Sequence, residues 1–183
     1  MNGTTGWAAE LTPPVDPQRD HLVGPIDAPA SLVEYGDYQC PFCRGAQPIV
    51  RSVLDEMGDR LCFSFRHFPM TTVHPLAERA AEAAEAAGAQ RRFWPMHDLL
   101  FENQPRFSDP DLYGYAETIG IDLERFASDL TSHAYAERVR QHFLSGVWSG
   151  VNGTPTFYIN GVRHDGSYDP DALLNALSRA SFV

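Results

Sequence analysis

The 183-residue chain has no lysine: all 14 of its basic residues are arginine, and they face 24 acidic residues for a formal net charge of −10. A phosphate backbone is repelled by such a field, so nucleic acid is not an expected partner. Long apolar runs are missing too. No stretch approaches the roughly 18 residues that a membrane-crossing helix needs, so no membrane insertion is expected. Residues 1–29 carry neither a basic n-region nor an apolar core. A cytoplasmic address is therefore expected, or an extracytoplasmic one if the chain is a trimmed mature form. Cysteine is scarce as well, and three residues in 183 do not make a disulfide scaffold. What is present is ordinary globular composition, 43% hydrophobic and 21% charged, at a length that fits one domain carrying an insertion.

Residues 1–29 are rich in Pro, Gly and Asp, which disfavours regular structure and predicts an extended amino-terminal arm. Leu32-Val33-Glu34-Tyr35 reads as a buried strand with one acid inside it, ended by Gly36-Asp37. Pro41 suits the first turn of a helix, where its missing N–H has no partner to lose. Ile49, Val50, Val53, Leu54 and Met57 continue at helical spacing to Gly58, with Pro48 inside. Leu61 to Phe65 is a second strand. From Ala77 to Ala89 eight of thirteen residues are Ala, interspersed with Glu78, Glu82 and Glu85, strong helix formers all. His74 is read as a helix-start residue. Further helices are predicted over Arg92 to Phe101, from Ser108 or Asp109 to Gly120, from Asp122, and from Ser132 to Gly146. Thr156 to Ile159 and Val162 to His164 flank Asn160-Gly161, the pair that a type I′ hairpin turn requires. Asp169-Pro170 opens a last helix through Leu173, Leu174 and Leu177.

Two of the three cysteines stand as Cys40-Pro41-Phe42-Cys43, between a strand and a helix. A thiol at a helix start meets unpaired backbone N–H groups and the positive end of the helix dipole, which favours a thiolate. Cys43, one turn on, lies on the same face and is placed to resolve a mixed disulfide formed by Cys40. A zinc reading would add Cys62 and His67 to the pair, but structural zinc sites normally use a second closely spaced pair, and Cys62 stands alone in a strand. Cys62 reads more simply as a small buried hydrophobe, and His67 as a hydrogen-bonded structural histidine. Trp94, Met96 and Phe101 read as core.

Glu34 six residues before Cys40, the Cys40-Pro41-Phe42-Cys43 site, Pro48, and Gly153-Thr154-Pro155 ahead of a strand together resemble the DsbA-like thioredoxin-fold disulfide oxidoreductases, a bacterial family. The separation of 112 positions from Cys43 to Pro155 matches that branch, whose thioredoxin fold carries an inserted helical domain. The resemblance implies an α/β thioredoxin-like fold, with 30–73 and 148–183 forming the thioredoxin-like part and 74–147 the helical insertion. It places Glu34 as the buried acid under the site, able to relay the proton that Cys43 must lose. Pro155 takes the place of the family's cis-proline. Thr154 then offers backbone groups to an extended substrate, with Pro41 and Phe42 beside it. Strongly oxidising members resemble Cys-Pro-His-Cys. Phe42 adds no charge, so the expected Cys40 pKa lies between the ~3.5 and ~7 extremes of such sites.

The expected activity is thiol–disulfide exchange with protein or peptide thiols. It needs no cofactor beyond the Cys40–Cys43 dithiol and no metal, and it relies on an unidentified redox-recycling partner. Two other classes share the architecture: kappa-like glutathione transferases and isomerases, which generally lack the second cysteine, and non-catalytic thioredoxin-like binding or chaperone modules. A cytoplasmic address favours the reducing direction and the family resemblance the oxidising one.

Overall fold

A computed structural model describes residues 9–181. Its centre is a five-stranded mixed sheet in the order β1-β3-β2-β4-β5. Strands β2 (Ala30–Gly36) and β3 (Leu61–His67) run parallel in the middle. β4 (Thr156–Ile159) and β5 (Val162–His164) form the antiparallel hairpin, with both Asn160 and Gly161 at positive φ. The outer strand β1 (Leu22–Val23) pairs antiparallel with β3. A parallel β2–β3 pair needs a crossover, and α1 (Pro41–Met57) supplies it. The result is a mixed α/β architecture whose sheet is interrupted by a helical insertion between β3 and β4.

Alternation along the strands sorts the chemistry between two faces. Leu32 and Glu34 of β2, Phe63 and Phe65 of β3, and Phe157 and Ile159 of β4 share a face through their register. The apolar members of that face pack with α1 residues and with Leu173 and Leu177 of α7 (Pro170–Ala180). The opposite face carries Val33, Tyr35 and Tyr158, clustered with Phe68, Val151 and Leu11. Leu11 belongs to the amino-terminal segment. Expected as an extended lead-in, that segment covers this second face from residue 9 onward, and residues 1–8 lie outside the described residues. The Leu11 N–H donates to the Gly161 carbonyl at 2.8 Å, and Asp20 accepts twice from Arg66, at 2.8 and 2.9 Å. Asp20 and Arg66 are both buried. The guanidinium also donates to the Pro13 and Pro14 carbonyls and to the Tyr35 hydroxyl, so its donors are well occupied.

Between β3 and β4 run α2 (Ala77–Gly88), α3 (Phe93–Glu102), α4 (Asp109–Thr118), α5 (Leu123–Thr131) and α6 (Ala136–Trp148). Ser108 caps α4 in a reciprocal box with Asp111, and Asp122 caps α5. The helix expected from Ser132 starts only at Ala136, because residues 132–135 form a turn in which His133 takes a φ of 52°. Helix α2 is buried nearly all round; its alanines let neighbouring helices approach closely. Its Glu85 is buried with them. That carboxylate meets His67 Nε2 and His21 Nε2 at 2.9 Å each, and Arg138 Nε at 2.6 Å.

Candidate active site

Cys40 is the N-cap of α1, with extended backbone (φ −71°, ψ 120°) and Pro41 behind it in the first turn. Since no side chain caps this helix end, its unpaired N–H groups are free to face the Cys40 sulfur. The Cys40 pKa is lowered to about 5. The largest cause is a hydrogen bond from the Cys43 thiol. The Thr154 side chain and the backbone N–H groups of Cys43 and Phe42 contribute further, and partial desolvation opposes them. In its protonated form the Cys40 thiol donates to the Thr154 carbonyl at 3.4 Å. Thr154 precedes a cis peptide bond to Pro155. The loop ahead of β4 therefore abuts the cysteine pair across 114 residues of sequence.

Cys43 differs sharply from Cys40. It has no solvent exposure. Burial pushes its thiol far up, and the Cys40 and Glu34 charges add to the effect. The Asp37 N–H donates to its sulfur at 3.4 Å. Behind it, Glu34 is fully buried on β2, and both carboxylate oxygens lack a hydrogen-bond partner. Desolvation raises the Glu34 pKa to about 8, and the nearby Cys40 charge raises it further; Gln47 opposes the shift without reaching bonding geometry. Phe42 lies outside, 66% exposed, and Pro41 is exposed beside it. The structure thus gathers Glu34, Cys40, Cys43, Thr154 and Pro155 at one end of the sheet and leaves an apolar ring at its rim.

Cys62 is not part of this group. It pairs with Ser31 at the start of β2, five residues of extended chain from Gly36, which is about 17 Å. It also belongs to the opposite face of the sheet from Glu34. A Cys40, Cys43, Cys62, His67 zinc site therefore cannot assemble. His67 is held by Glu85. Among the described residues, His67, Glu85 and His142 stand close enough to share an ion, but the Arg138 guanidinium already neutralises that carboxylate.

Other side chains that shape the site carry no sequence signature of their own. Buried Asp37 accepts from the Gln39 and Met70 N–H groups, at 2.7 and 2.8 Å, and from His74 Nδ1 at 2.8 Å. It pins the loop that leads into Cys40 to the segment after β3. The His74 side chain thus serves this loop, while its carbonyl accepts from the Ala77 N–H at the start of α2. Gln104, from the insertion, donates to the Tyr38 and Cys40 carbonyls. Gln47 lies four residues after Cys43, one helical turn along the same face, a spacing that points to it once Cys43 is recognised. Asp37 and Gln104 become visible only in three dimensions.

Comparison with known proteins agrees with this geometry. A family model described as thioredoxin matches residues 16–179. The Na(+)/H(+) antiporter NhaA 1 of Salinispora arenicola is 47% identical over 178 residues, covering 97% of this chain. The chain spans only 27% of that relative's length. Among solved structures, oxidised BdbD from Bacillus subtilis superposes with a TM-score of 0.83 at 23% identity, covering 96% of this chain and 98% of that one. The thiol-disulfide exchange protein alpha-DsbA2 from Wolbachia pipientis superposes with a TM-score of 0.76 at 21% identity, covering 86% and 85% respectively.

Proposed function

From the premise that the chain belongs to the thioredoxin family, in a DsbA-like form, we propose that it is a thiol–disulfide oxidoreductase acting on protein or peptide thiols through Cys40 and Cys43. The observation that carries this reading is the asymmetry of the pair. One thiol lies at a helix start just beneath the surface with a pKa near 5, and the other is sealed inside against an unpartnered carboxyl.

In the reducing direction the Cys40 thiolate attacks a substrate disulfide. A bond forms between Cys40 and one substrate sulfur while the substrate S–S bond breaks, and the second substrate sulfur leaves as a thiolate. Cys43 then gives its proton to the Glu34 carboxylate and attacks Cys40. The Cys40–Cys43 bond forms, the Cys40–substrate bond breaks, and the substrate departs with the electron pair. The dithiol has lost two electrons and the substrate has gained them. Oxidation of a substrate dithiol is the same sequence reversed. Because Cys40 is a much weaker base than an ordinary thiol, it is a good leaving group, which favours passing the disulfide on to substrate. Thr154 and the Pro155 loop line the approach to Cys40 and offer backbone groups to an extended chain.

Extracytoplasmic action is part of the proposal. It draws support from the Na(+)/H(+) antiporter that is 47% identical over this segment and from the stability of disulfides in oxidising compartments. The cytoplasmic address expected from the amino end draws none. Turnover of an insulin-like disulfide substrate tests the activity. Cys40→Ser is expected to abolish exchange, and Cys43→Ser to accumulate mixed disulfides at Cys40. Trapping through Cys43 in the Cys40→Ser protein would reverse the assignment, and full activity in both variants would refute the proposal.

A further inference from the structure

A cleft of about 150 Å³ runs between α1 and α3, lined among others by Val23, Gln47, Arg51, Trp94, His97 and Asp98. Its mouth is polar, for Arg51 and Asp98 form an exposed ion pair at 3.2 Å. Gln47, half-buried, stands between this cleft and the buried Glu34 carboxyl.

A directed chain of hydrogen bonds fixes how Gln47 is turned. Its Oε1 lies 3.0 Å from His97 Nε2 and can only accept, so His97 carries its proton on Nε2. His97 Nδ1 is then an acceptor, and the buried Tyr38 hydroxyl donates to it at 3.1 Å. Burial depresses the His97 pKa to about 3 and raises that of Tyr38, so neither end of the chain changes charge near neutral pH. With its oxygen committed to His97, Gln47 has its NH₂ group left for other acceptors. One N–H reaches the Cys43 carbonyl at 3.4 Å, a long and weak contact. Its second N–H is uncommitted, and both Glu34 carboxyl oxygens lack a donor.

We propose that Gln47, oriented by His97 and Tyr38, is a positioning residue for the resolving step. Its carboxamide supplies the donor that stabilises the Glu34 carboxylate and so readies that group to take the Cys43 proton. The inference rests on the dithiol exchange proposed above and adds the residue that sets its base. Other groups facing Glu34 do not supply such a donor. Cys40 and Cys43 come from α1, and Tyr38 from the loop before it, its hydroxyl engaged by His97. Arg51 and Asp98 lie at the cleft mouth and satisfy each other. The strand neighbours Phe65 and Phe157 are apolar, and α7 turns Leu173 and Leu177 to this face.

The test uses the reduced full chain and two readouts. Carbon NMR of the Glu34 carboxyl gives its titration midpoint directly, and stopped-flow release of a mixed disulfide gives the resolving rate against pH. Gln47→Leu removes the donor at similar volume. Its Glu34 midpoint is expected to rise by about one pH unit, with resolution near pH 7 slowed up to about tenfold. The pH profile of Cys40 alkylation is expected to stay in place. His97→Phe should move the Glu34 midpoint the same way, and His97→Gln, which keeps a donor, should restore most of it. A Glu34 midpoint and resolving profile unchanged in both Gln47→Leu and His97→Phe would overturn the inference. If wild type failed to resolve any mixed disulfide, the activity would fall while the carboxyl titration still decided the role of Gln47.

Discussion

Replacing Glu34 by Gln is expected to make the protein more stable, by an amount that grows with pH. The folded carboxyl titrates near 8 against an ordinary value of 4.5, with burial the main cause. A carboxylate whose folded pKa is raised favours the unfolded chain once the pH exceeds the unfolded value, and the cost levels off only above the folded one. At pH 7 the unfolded chain is about 2.5 pH units above its midpoint, while the folded acid is still mostly protonated. At about 1.4 kcal/mol per unit the cost to wild type is about 3 kcal/mol. Glutamine escapes this cost but buries an amide whose donors lack a fixed partner, a penalty of about 1–3 kcal/mol that does not depend on pH. The slope is therefore the cleaner quantity. Urea unfolding of the reduced proteins between pH 5 and 8 should show the stability difference moving in favour of Glu34→Gln by about 3 kcal/mol. A difference that stays level across that range would refute the reasoning and make Glu34 a carboxylate with an ordinary midpoint.

The Asp20–Arg66 pair should behave in the opposite sense. Desolvation of Asp20 is outweighed by the Arg66 hydrogen bonds and charge, so its carboxyl titrates below the usual range. Its stabilising contribution is present above the unfolded pKa and is lost as the pH falls toward the folded one. Asp20→Ala should cost about 3–5 kcal/mol at pH 7 by leaving a buried guanidinium without its counter-ion, and calorimetry should show that cost shrinking below pH 4. Cys62→Ser, far from the site, should leave exchange rates unchanged and lower stability by about 1 kcal/mol; a large loss of exchange activity would tie Cys62 to the chemistry.

Features set by neighbours in sequence were legible before any coordinates. Cys40 and Cys43 are one turn apart, Pro41 suits a helix start, and Asn160-Gly161 favours a hairpin, so short spacings carry the cysteine pair and the hairpin. Glu34 was legible because an acid inside an apolar run needs an explanation. Features built from distant segments were not. Glu85 sits in an alanine helix at a spacing equally suited to a solvated face, and nothing local tells that three side chains from elsewhere surround it. Strand β1 is two residues long and has no period to read. His97, in an aromatic stretch that reads as core, is core by burial, and its use emerges only from the Gln47 oxygen beside it.

The Glu85 carboxylate has a mechanical consequence. It is carried by the insertion and gripped by His21 of the amino-terminal segment, His67 of the central sheet and Arg138 of another insertion helix. Prising any one of these bodies away exposes a carboxylate that had been satisfied from three directions, or strands a cation beside it. The helices cannot swing open as a hinged cap without tearing that joint. Amide protons of α2, β3 and the segment around His21 should accordingly exchange through a shared opening event rather than in separate local ones. The reactive pair is thus mounted on a frame that yields all together or not at all.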